Sequence, residues 1–210
     1  MPATADLVPL GRTDIRVTPV GLGAWQWGDT MMWSYGSGYG EQDVRAAYDA
    51  ALAAGINFID TAELYGRGQS ERLLGRFMDH SHPPVVATKF APFPWRLSKG
   101  KLLDALKASL ERLQMAQVDL YQVHFPLPPL SVETWADGLA DAVHGKLARA
   151  VGVSNYSVEQ MRKAHAVLAK RGVPLATNQV EYSLIERKPE RTGLIDAARA
   201  RGQRVLTVSL

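Results

Sequence analysis

Cysteine is absent from the 210-residue sequence. Without thiols the chain has no disulfide framework, no thiolate metal ligand and no cysteine nucleophile. This composition is compatible with a reducing compartment, and we expect a cytoplasmic protein. We expect no membrane association, because no run approaches the roughly 18 apolar residues of a transmembrane helix. The opening MPATADLVPLGR has no basic segment followed by an apolar one, so we do not expect a secretory signal.

An excess of one charge sign is nearly absent, with 24 Lys and Arg against 21 Asp and Glu and a net charge of +3. From Gln160 onward there are ten basic and four acidic side chains, a surplus of +6, which leaves −3 for the rest. These basic residues are scattered over helix-like segments without interleaved aromatics, which favours solvated helix faces over a nucleic-acid surface. The 46% hydrophobic content, with 18 Gly and 12 Pro, excludes disordered and low-complexity classes.

Short apolar runs alternate with amphipathic stretches along the chain. A hairpin is predicted between Leu10 and Val20, with its turn at residues 11–14. The periodicity then predicts strands at residues 20–24, 56–60, 85–89, 118–124, 149–153, 175–180 and 204–209. It predicts helices at residues 41–54, 70–79, 99–113, 132–144, 158–170 and 192–201.

Alternating strands and helices predict an α/β fold with a parallel sheet and right-handed crossovers. An open doubly wound sheet and a (β/α)8 barrel both fit this pattern. An open sheet usually carries a G-x-G-x-x-G turn after its first strand. Here Gly21 and Gly23 are followed by Gly28, two positions too late for that motif. The spacing therefore favours the (β/α)8 TIM barrel.

Seven strands and six helices are too few for a complete barrel, which needs a seventh helix, an eighth strand and an eighth helix. We predict a single barrel domain over residues 1–210 that lacks this C-terminal helix–strand–helix portion. It would be a fragment of a longer polypeptide, which we favour, or a barrel completed by something else. The first and seventh strands would then expose backbone edges, which invite self-association.

Polar side chains stand at the predicted strand ends. Asp60 ends the second strand, with Tyr65 five residues later, while Lys89 and His124 end the third and fourth. The carboxyl ends of barrel strands converge on one mouth, so we expect these side chains to meet. The later strands end in Ser154, Asn155, Asn178, Gln179 and Ser209.

These residue types favour proton transfer over metal binding. One His and one carboxylate do not make a metal site, and the His80–His82 pair lies in a loop beside two prolines, so we predict no metal. An ammonium beside a phenol favours the phenolate, and a carboxylate can hold that ammonium in place. A tyrosine tuned in this way can exchange a proton with an oxygen near neutral pH. This describes carbonyl reduction with hydride from a cofactor.

At this point the motifs resemble those of the aldo-keto reductases along essentially the whole chain. The opening LGRTDIRVTPVGLG resembles the hairpin and first strand of that family. Further motifs in the same order are FIDTAELYG (58–66), VVATKF (85–90), VDLYQVHFP (118–126), AVGVSNYS (150–157) and TNQVEYS (177–183).

The resemblance implies a catalytic tetrad of Asp60, Tyr65, Lys89 and His124, with Tyr65 as the general acid in reduction of aldehydes or ketones. It implies NADPH as the cofactor. The side chains that would contact the nicotinamide carboxamide are Ser154, Asn155 and Gln179, and the cofactor site would also include Gly23, Ala24, Asp60, Ser209 and Leu210.

Two departures from the family pattern stand out. Val208 occupies a position where many members carry an aromatic residue that stacks on the nicotinamide. The basic segment that grips the 2′-phosphate is missing from these 210 residues. We therefore expect this chain alone to bind NADPH poorly or not at all. The alternatives to an active reductase are an inactive truncated fragment and a cofactor-binding regulatory subunit of the same fold.

The loop after the first strand is rich in aromatic residues. Trp25, Trp27 and Trp33 would line an apolar pocket for a small carbonyl substrate, with Phe90 as a further candidate. An equally acceptable interpretation is a lid that packs on its own core.

Overall fold

In the computed structural model, which describes residues 6–208, a small hairpin precedes a seven-stranded parallel sheet. The hairpin pairs β1 (Val8–Pro9) with β2 (Arg16–Val17). The sheet strands are β3 (Leu22–Gly23), β4 (Phe58–Asp60), β5 (Val85–Phe90), β6 (Val118–Val123), β7 (Ala148–Ser154), β8 (Leu175–Glu181) and β9 (Arg204–Val208). The helices are α1 (Glu41–Ala53), α2 (Gln69–Phe77), α3 (Gly100–Leu113), α4 (Val132–His144), α5 (Val158–Lys170), α6 (Lys188–Arg191) and α7 (Leu194–Arg199).

The seven strands follow one another in sequence order, from β3 at one edge to β9 at the other, and every pair is parallel. Helices α1 to α5 each lie between consecutive strands, and α6 and α7 connect β8 to β9. Within residues 6–208, β3 and β9 each pair on one side only. The predicted fold, an incomplete (β/α)8 barrel with an N-terminal hairpin, is confirmed.

Alternation along the strands separates two apolar layers. Side chains on the concave side of the sheet include Phe58, Leu120 and the small Ala150, and they pack against Leu10 and Ile15 of the hairpin. The hairpin therefore fills the amino-terminal end of the half-barrel. The outer layer is larger and lies between strands and helices, with Ile59, Val86, Tyr121, Val151, Leu106 and Leu139 among its members. Polar side chains such as Asp60 and Ser154 lie at the carboxyl-terminal ends of their strands.

Local signals set several helix ends. At the start of α5 the backbone N–H of Gln160 donates to the Ser157 hydroxyl oxygen, and the backbone N–H of Ser157 donates to the side-chain oxygen of Gln160. The predicted helix at residues 192–201 is shorter, and a separate α6 precedes it, because Gly193 interrupts the helix with a φ of +69°. Among the described residues, no helix combines the length and apolar character of a membrane span.

Candidate active site

Three strand ends and one turn bring the four expected catalytic residues together. Lys89 of β5 places its Nζ 2.6 Å from Asp60 Oδ2, 3.2 Å from the Tyr65 hydroxyl and 2.9 Å from the Thr61 carbonyl oxygen. The three N–H groups of the ammonium thus have three acceptors. Lys89 is only 1% exposed, so the ion pair with Asp60 lies outside bulk solvent.

Tyr65 stands on a 3-10 turn, Tyr65–Gly68, that the sequence pattern did not predict. Gly66 has a φ of +54°, and a Cβ atom there would lie 2.6 Å from the Gly28 carbonyl oxygen. Only glycine fits this contact without displacing the backbone. The turn consequently packs against the loop after β3, where the Trp25 ring stacks on Tyr65 with centroids 6.2 Å apart.

His124 follows β6, and its ring meets Tyr65 edge-on with centroids 5.7 Å apart. Burial, with a smaller contribution from the charge of Lys89, lowers the pKa of His124 to about 3. The imidazole is therefore neutral at pH 7. Its Nδ1 atom is buried and has no hydrogen-bond partner among the described residues.

The net pKa of Tyr65 corrects the sequence-based expectation of an acidified phenol. Burial raises the pKa, and the charge and hydrogen bond of Lys89 oppose burial without outweighing it. At neutral pH the phenol is therefore protonated. For Lys89, burial lowers the pKa, but Asp60 and Tyr65 together raise it above the ordinary value. The site thus holds a phenol proton beside a stable ammonium.

A cavity of about 620 Å³ opens over these four residues. All four line it, as do Ser154, Asn155 and Gln179, which the resemblance assigns to cofactor binding. The wall also includes three further residues expected from the sequence, Gly23, Ala24 and Trp25.

The three expected nicotinamide ligands are hydrogen-bonded around the tetrad. Ser154 Oγ donates to the backbone carbonyl oxygen of Gln179 over 3.0 Å. Asn155 Nδ2 donates to the His124 carbonyl oxygen over 3.0 Å. Gln179 Nε2 donates to Asp60 Oδ2 over 3.0 Å, so Asp60 receives bonds from both Lys89 and Gln179. Its other oxygen, Oδ1, is buried without a partner within residues 6–208.

Phe90 is not brought to the cavity. It is fully buried, and its ring centroid lies 4.9 Å from that of Trp135 of α4. The reason is strand alternation, because Lys89 points inside and the next residue must face the helices.

The loop tryptophans divide between the two interpretations left open by the sequence. Trp25 lines the cavity, whereas Trp27 packs in the core. The Trp27 ring centroid lies 6.4 Å from that of Tyr48 and 6.2 Å from that of Phe77. Trp33 is not part of the cavity wall and packs edge-on against Trp25. Ser209 and Leu210 lie outside the described residues.

Several lining residues were not predicted. Phe125 stacks on His124 with centroids 4.2 Å apart, and its position directly after a strand-end histidine could have indicated it. Leu64 and Asp29 also line the cavity, and no sequence pattern distinguishes them from ordinary loop residues. Met32 lines it too, and it belongs to the aromatic-rich loop that was expected to cover a pocket. No group of three or more metal-binding side chains occurs within the described range 6–208.

Comparisons with known proteins give the family of this chain. The profile of the Aldo/keto reductase family matches residues 19–210. The sequence is 40% identical over 209 residues to the protein named pyridoxal reductase, chloroplastic, from Arabidopsis thaliana, covering 93% of this chain and 57% of that protein. A crystal structure of a thermostable aldo-keto reductase in complex with epalrestat gives a TM-score of 0.81 at 29% identity, covering 95% of this chain and 70% of that one.

An aldo-keto reductase from Klebsiella pneumoniae, solved in complex with NADPH, gives a TM-score of 0.76 at 27% identity, covering 90% of this chain and 63% of that one. The chain spans about half the length of the curated relatives it matches. Because the family profile covers nearly all of the sequence and the expected tetrad is assembled, the chain belongs to the aldo/keto reductase family.

Proposed function

We propose that the protein is an NADPH-dependent oxidoreductase that reduces a small aldehyde or ketone to an alcohol. The observation that carries the proposal is the contact of one buried ammonium, Lys89, with both Asp60 and the Tyr65 hydroxyl at the wall of a cavity. The Klebsiella relative was solved with NADPH. When bound, NADPH supplies the hydride that forms the new C–H bond at the carbonyl carbon.

The residues present fit the nicotinamide end of such a cofactor. Ser154, Asn155 and Gln179 offer polar groups along one wall of the cavity. Asp60 Oδ1 is a buried acceptor that lacks a donor among the described residues, and a polar group in the cavity would satisfy it. In this proposal, Ser154, Asn155 and Gln179 hold the nicotinamide end.

Each of the four tetrad residues has a separate task. Tyr65 is protonated at neutral pH and gives its phenol proton to the carbonyl oxygen. Lys89 stabilises the phenolate left behind, because its ammonium lies 3.2 Å from that oxygen. Asp60 holds the ammonium in place. The neutral imidazole of His124 orients the carbonyl oxygen without adding a competing charge.

The cavity wall indicates the kind of carbonyl compound. Trp25, Phe125 and Met32 form its apolar part, and such a surface suits a substrate with an aromatic or apolar body. The Arabidopsis relative is named for pyridoxal, an aromatic aldehyde. We propose an aromatic aldehyde as the first substrate to test.

The test is the NADPH-dependent reduction of an aromatic aldehyde, followed by loss of absorbance of the reduced cofactor. Tyr65→Phe should lower kcat/KM by about 10²- to 10⁴-fold, the usual contribution of a general acid. Tyr48→Phe is a matched control, since it removes a buried hydroxyl that has no hydrogen-bond partner within residues 6–208 and lies in the core. Activity that survives Tyr65→Phe would contradict the assignment of the acid.

Cofactor affinity is a separate measurement. The described polar residues serve the nicotinamide end, and Val208 rather than an aromatic residue lines the cavity there. We therefore propose that these 210 residues bind NADPH weakly, so the assay should use the highest practical cofactor concentration. Fluorescence titration with NADPH should give a dissociation constant above the micromolar range, and micromolar binding would refute this part of the proposal.

The open sheet edges support a further proposal on assembly. β3 and β9 both line a groove of about 340 Å³, and unpaired strand edges readily accept another strand. We propose that a chain of these 210 residues self-associates through the edges that β3 and β9 leave unpaired within residues 6–208. Sedimentation velocity over a range of concentrations should show a dimer or larger species, and a monomer at all concentrations would exclude it. A cytoplasmic location also remains a proposal, since the Arabidopsis relative is named as chloroplastic.

A further inference from the structure

Three buried polar side chains inside the half-barrel form a hydrogen-bonded row that ends at Asp60. Thr177 Oγ1 donates to Gln122 Oε1 over 3.0 Å, and Gln122 Nε2 donates to Gln179 Oε1 over 2.9 Å. Gln179 Nε2 then donates to Asp60 Oδ2 over 3.0 Å. Gln122 and Thr177 are fully buried. Neither of these two residues lines the cavity, so they act on the site only through Gln179.

The charge of Asp60 fixes the direction of the whole row. An ionised carboxylate only accepts hydrogen bonds, so Gln179 must turn its NH2 group toward Asp60. The side-chain oxygen of Gln179, Oε1, then faces Gln122, which must in turn present its NH2 group. Gln122 is left with its oxygen toward Thr177, whose hydroxyl completes the row as a donor. Each amide therefore has one permitted orientation.

The backbone is shaped to admit this row. A Cβ atom at position 152 would lie 2.0 Å from Thr177 Oγ1 and 3.2 Å from Gln122 Oε1, so only glycine leaves room for their contact. The pairing of β7 with β8 skips Ala176 between the pairs Val151–Leu175 and Gly152–Thr177. This bulge lets Thr177 face the interior.

An apolar residue would otherwise be expected in this layer. Gln122 lies two residues from Leu120, which packs in the inner apolar cluster. Burying an amide among such residues costs free energy unless its groups are paired, and here both ends of the Gln122 amide are paired. One of these partners, Gln179, belongs to the proposed cofactor-binding wall of the cavity.

We propose that Gln122 is a positioning residue that holds the Gln179 side chain in its single orientation against Asp60, with Thr177 fixing the orientation of Gln122. The proposal rests on the proposed reductase function, because Gln179 and Asp60 matter there as parts of the cofactor wall and the tetrad. Without Gln122, the Gln179 amide loses the partner of its oxygen and is free to rotate away from Asp60. The carboxylate then loses one of the two side-chain donors that it has within the described residues.

Nuclear magnetic resonance tests the row without any catalytic turnover. The side-chain NH2 groups of Gln122 and Gln179 should exchange slowly with deuterated water in the wild-type protein, because both are buried and bonded. In Gln122→Leu the Gln179 NH2 group should exchange at least tenfold faster. Thr177→Val should accelerate exchange at Gln122, and Thr177→Ser should restore the wild-type rate. Unchanged exchange of Gln179 in Gln122→Leu would overturn the proposal.

Kinetics test whether the row acts through Gln179. Gln122→Leu should lower kcat/KM about 10- to 100-fold, the scale of a small misplacement in an active site. In a Gln179→Leu background the same substitution should have no further effect, whereas independent losses would overturn the proposal. Gln203→Leu is the matched control, since Gln203 is 6% exposed and lies outside the row.

If Gln122→Leu does not fold, Thr177→Val carries the same test with a smaller expected loss. If the wild-type protein reduces no carbonyl compound, the proposed function fails, and the exchange rates still decide whether Gln122 holds Gln179.

Discussion

Two buried ion pairs lie against neighbouring residues of one strand, β5, and they have different characters. Thr88 of β5 faces the helices and donates to Glu71 Oε1 over 2.5 Å, while Arg112 donates to Glu71 Oε2 over 2.6 Å. The next residue, Lys89, faces the interior and bonds Asp60 over 2.6 Å. Both pairs join a carboxylate to a cation away from bulk solvent.

The difference lies in what each pair leaves unsatisfied. Both oxygens of Glu71 have partners, so the outer pair ties α2 to α3 and β5 and has no oxygen left over. Asp60 keeps one buried oxygen without a described partner, and Lys89 reaches beyond it to a phenol at a cavity. Burial and pairing alone therefore do not mark a functional site, whereas an incomplete set of partners beside a cavity does.

The largest effect that would separate the two pairs is on activity. Lys89→Met removes the ammonium beside Tyr65 and should lower kcat/KM for aldehyde reduction by about 10²- to 10⁴-fold. Arg112→Met should leave kcat/KM close to wild type at a temperature where the variant is folded, because Arg112 lies outside the cavity. Equal losses in the two variants would remove the distinction.

The next effect is on stability. Arg112→Met leaves Glu71 buried without its cation and should lower the free energy of unfolding by about 3 to 5 kcal/mol. Adding Glu71→Gln to that variant should recover part of the loss, because the side chain no longer carries a charge. Urea unfolding followed by circular dichroism measures both changes. A loss below about 1 kcal/mol in the single variant would show that Glu71 is not dependent on this cation.

The smallest effect is a pH dependence of the free energy of unfolding, and it comes from His124 beside the inner ion pair. His124 has its pKa lowered to about 3 from 6.5, so between these values the unfolded chain binds more protons and stability falls as the pH falls. His124→Gln should remove roughly 2 kcal/mol of this dependence between pH 7 and pH 5. Urea unfolding of both proteins at the two pH values tests it, with exposed His82→Gln as the control. Parallel curves for wild type and His124→Gln would contradict the burial argument.

Helices were the best-predicted elements. The bounds of α4 and α5 agree with the sequence pattern because their signals are local, as in the reciprocal bonds of Ser157 and Gln160. The turn at Tyr65–Gly68 was missed, since its left-handed backbone depends on a contact with Gly28 far away along the chain. α6 was not predicted, and α7 begins at Leu194 rather than at residue 192 because Gly193 has a left-handed backbone.

The main limit on predicting the site was which side chains of each strand face the cavity. Runs such as VVATKF are buried on both faces, and their pattern therefore does not indicate which residue points inward. Phe90 was expected at the cavity and lies among the helices, while the unpredicted Phe125 lies at the cavity wall. Gln122 carried no signal, because a single amide in an apolar strand resembles any buried polar residue.

The sequence by itself determined the order of strands and helices and the placement of Asp60, Lys89 and His124 at or beside strand ends, since these follow from periodicity and local chain signals. Only the tertiary structure decided which side chains face the cavity and how they titrate. Desolvation and Coulomb interactions depend on distances in space, and for Tyr65 they gave a raised pKa where the neighbouring lysine alone would lower it.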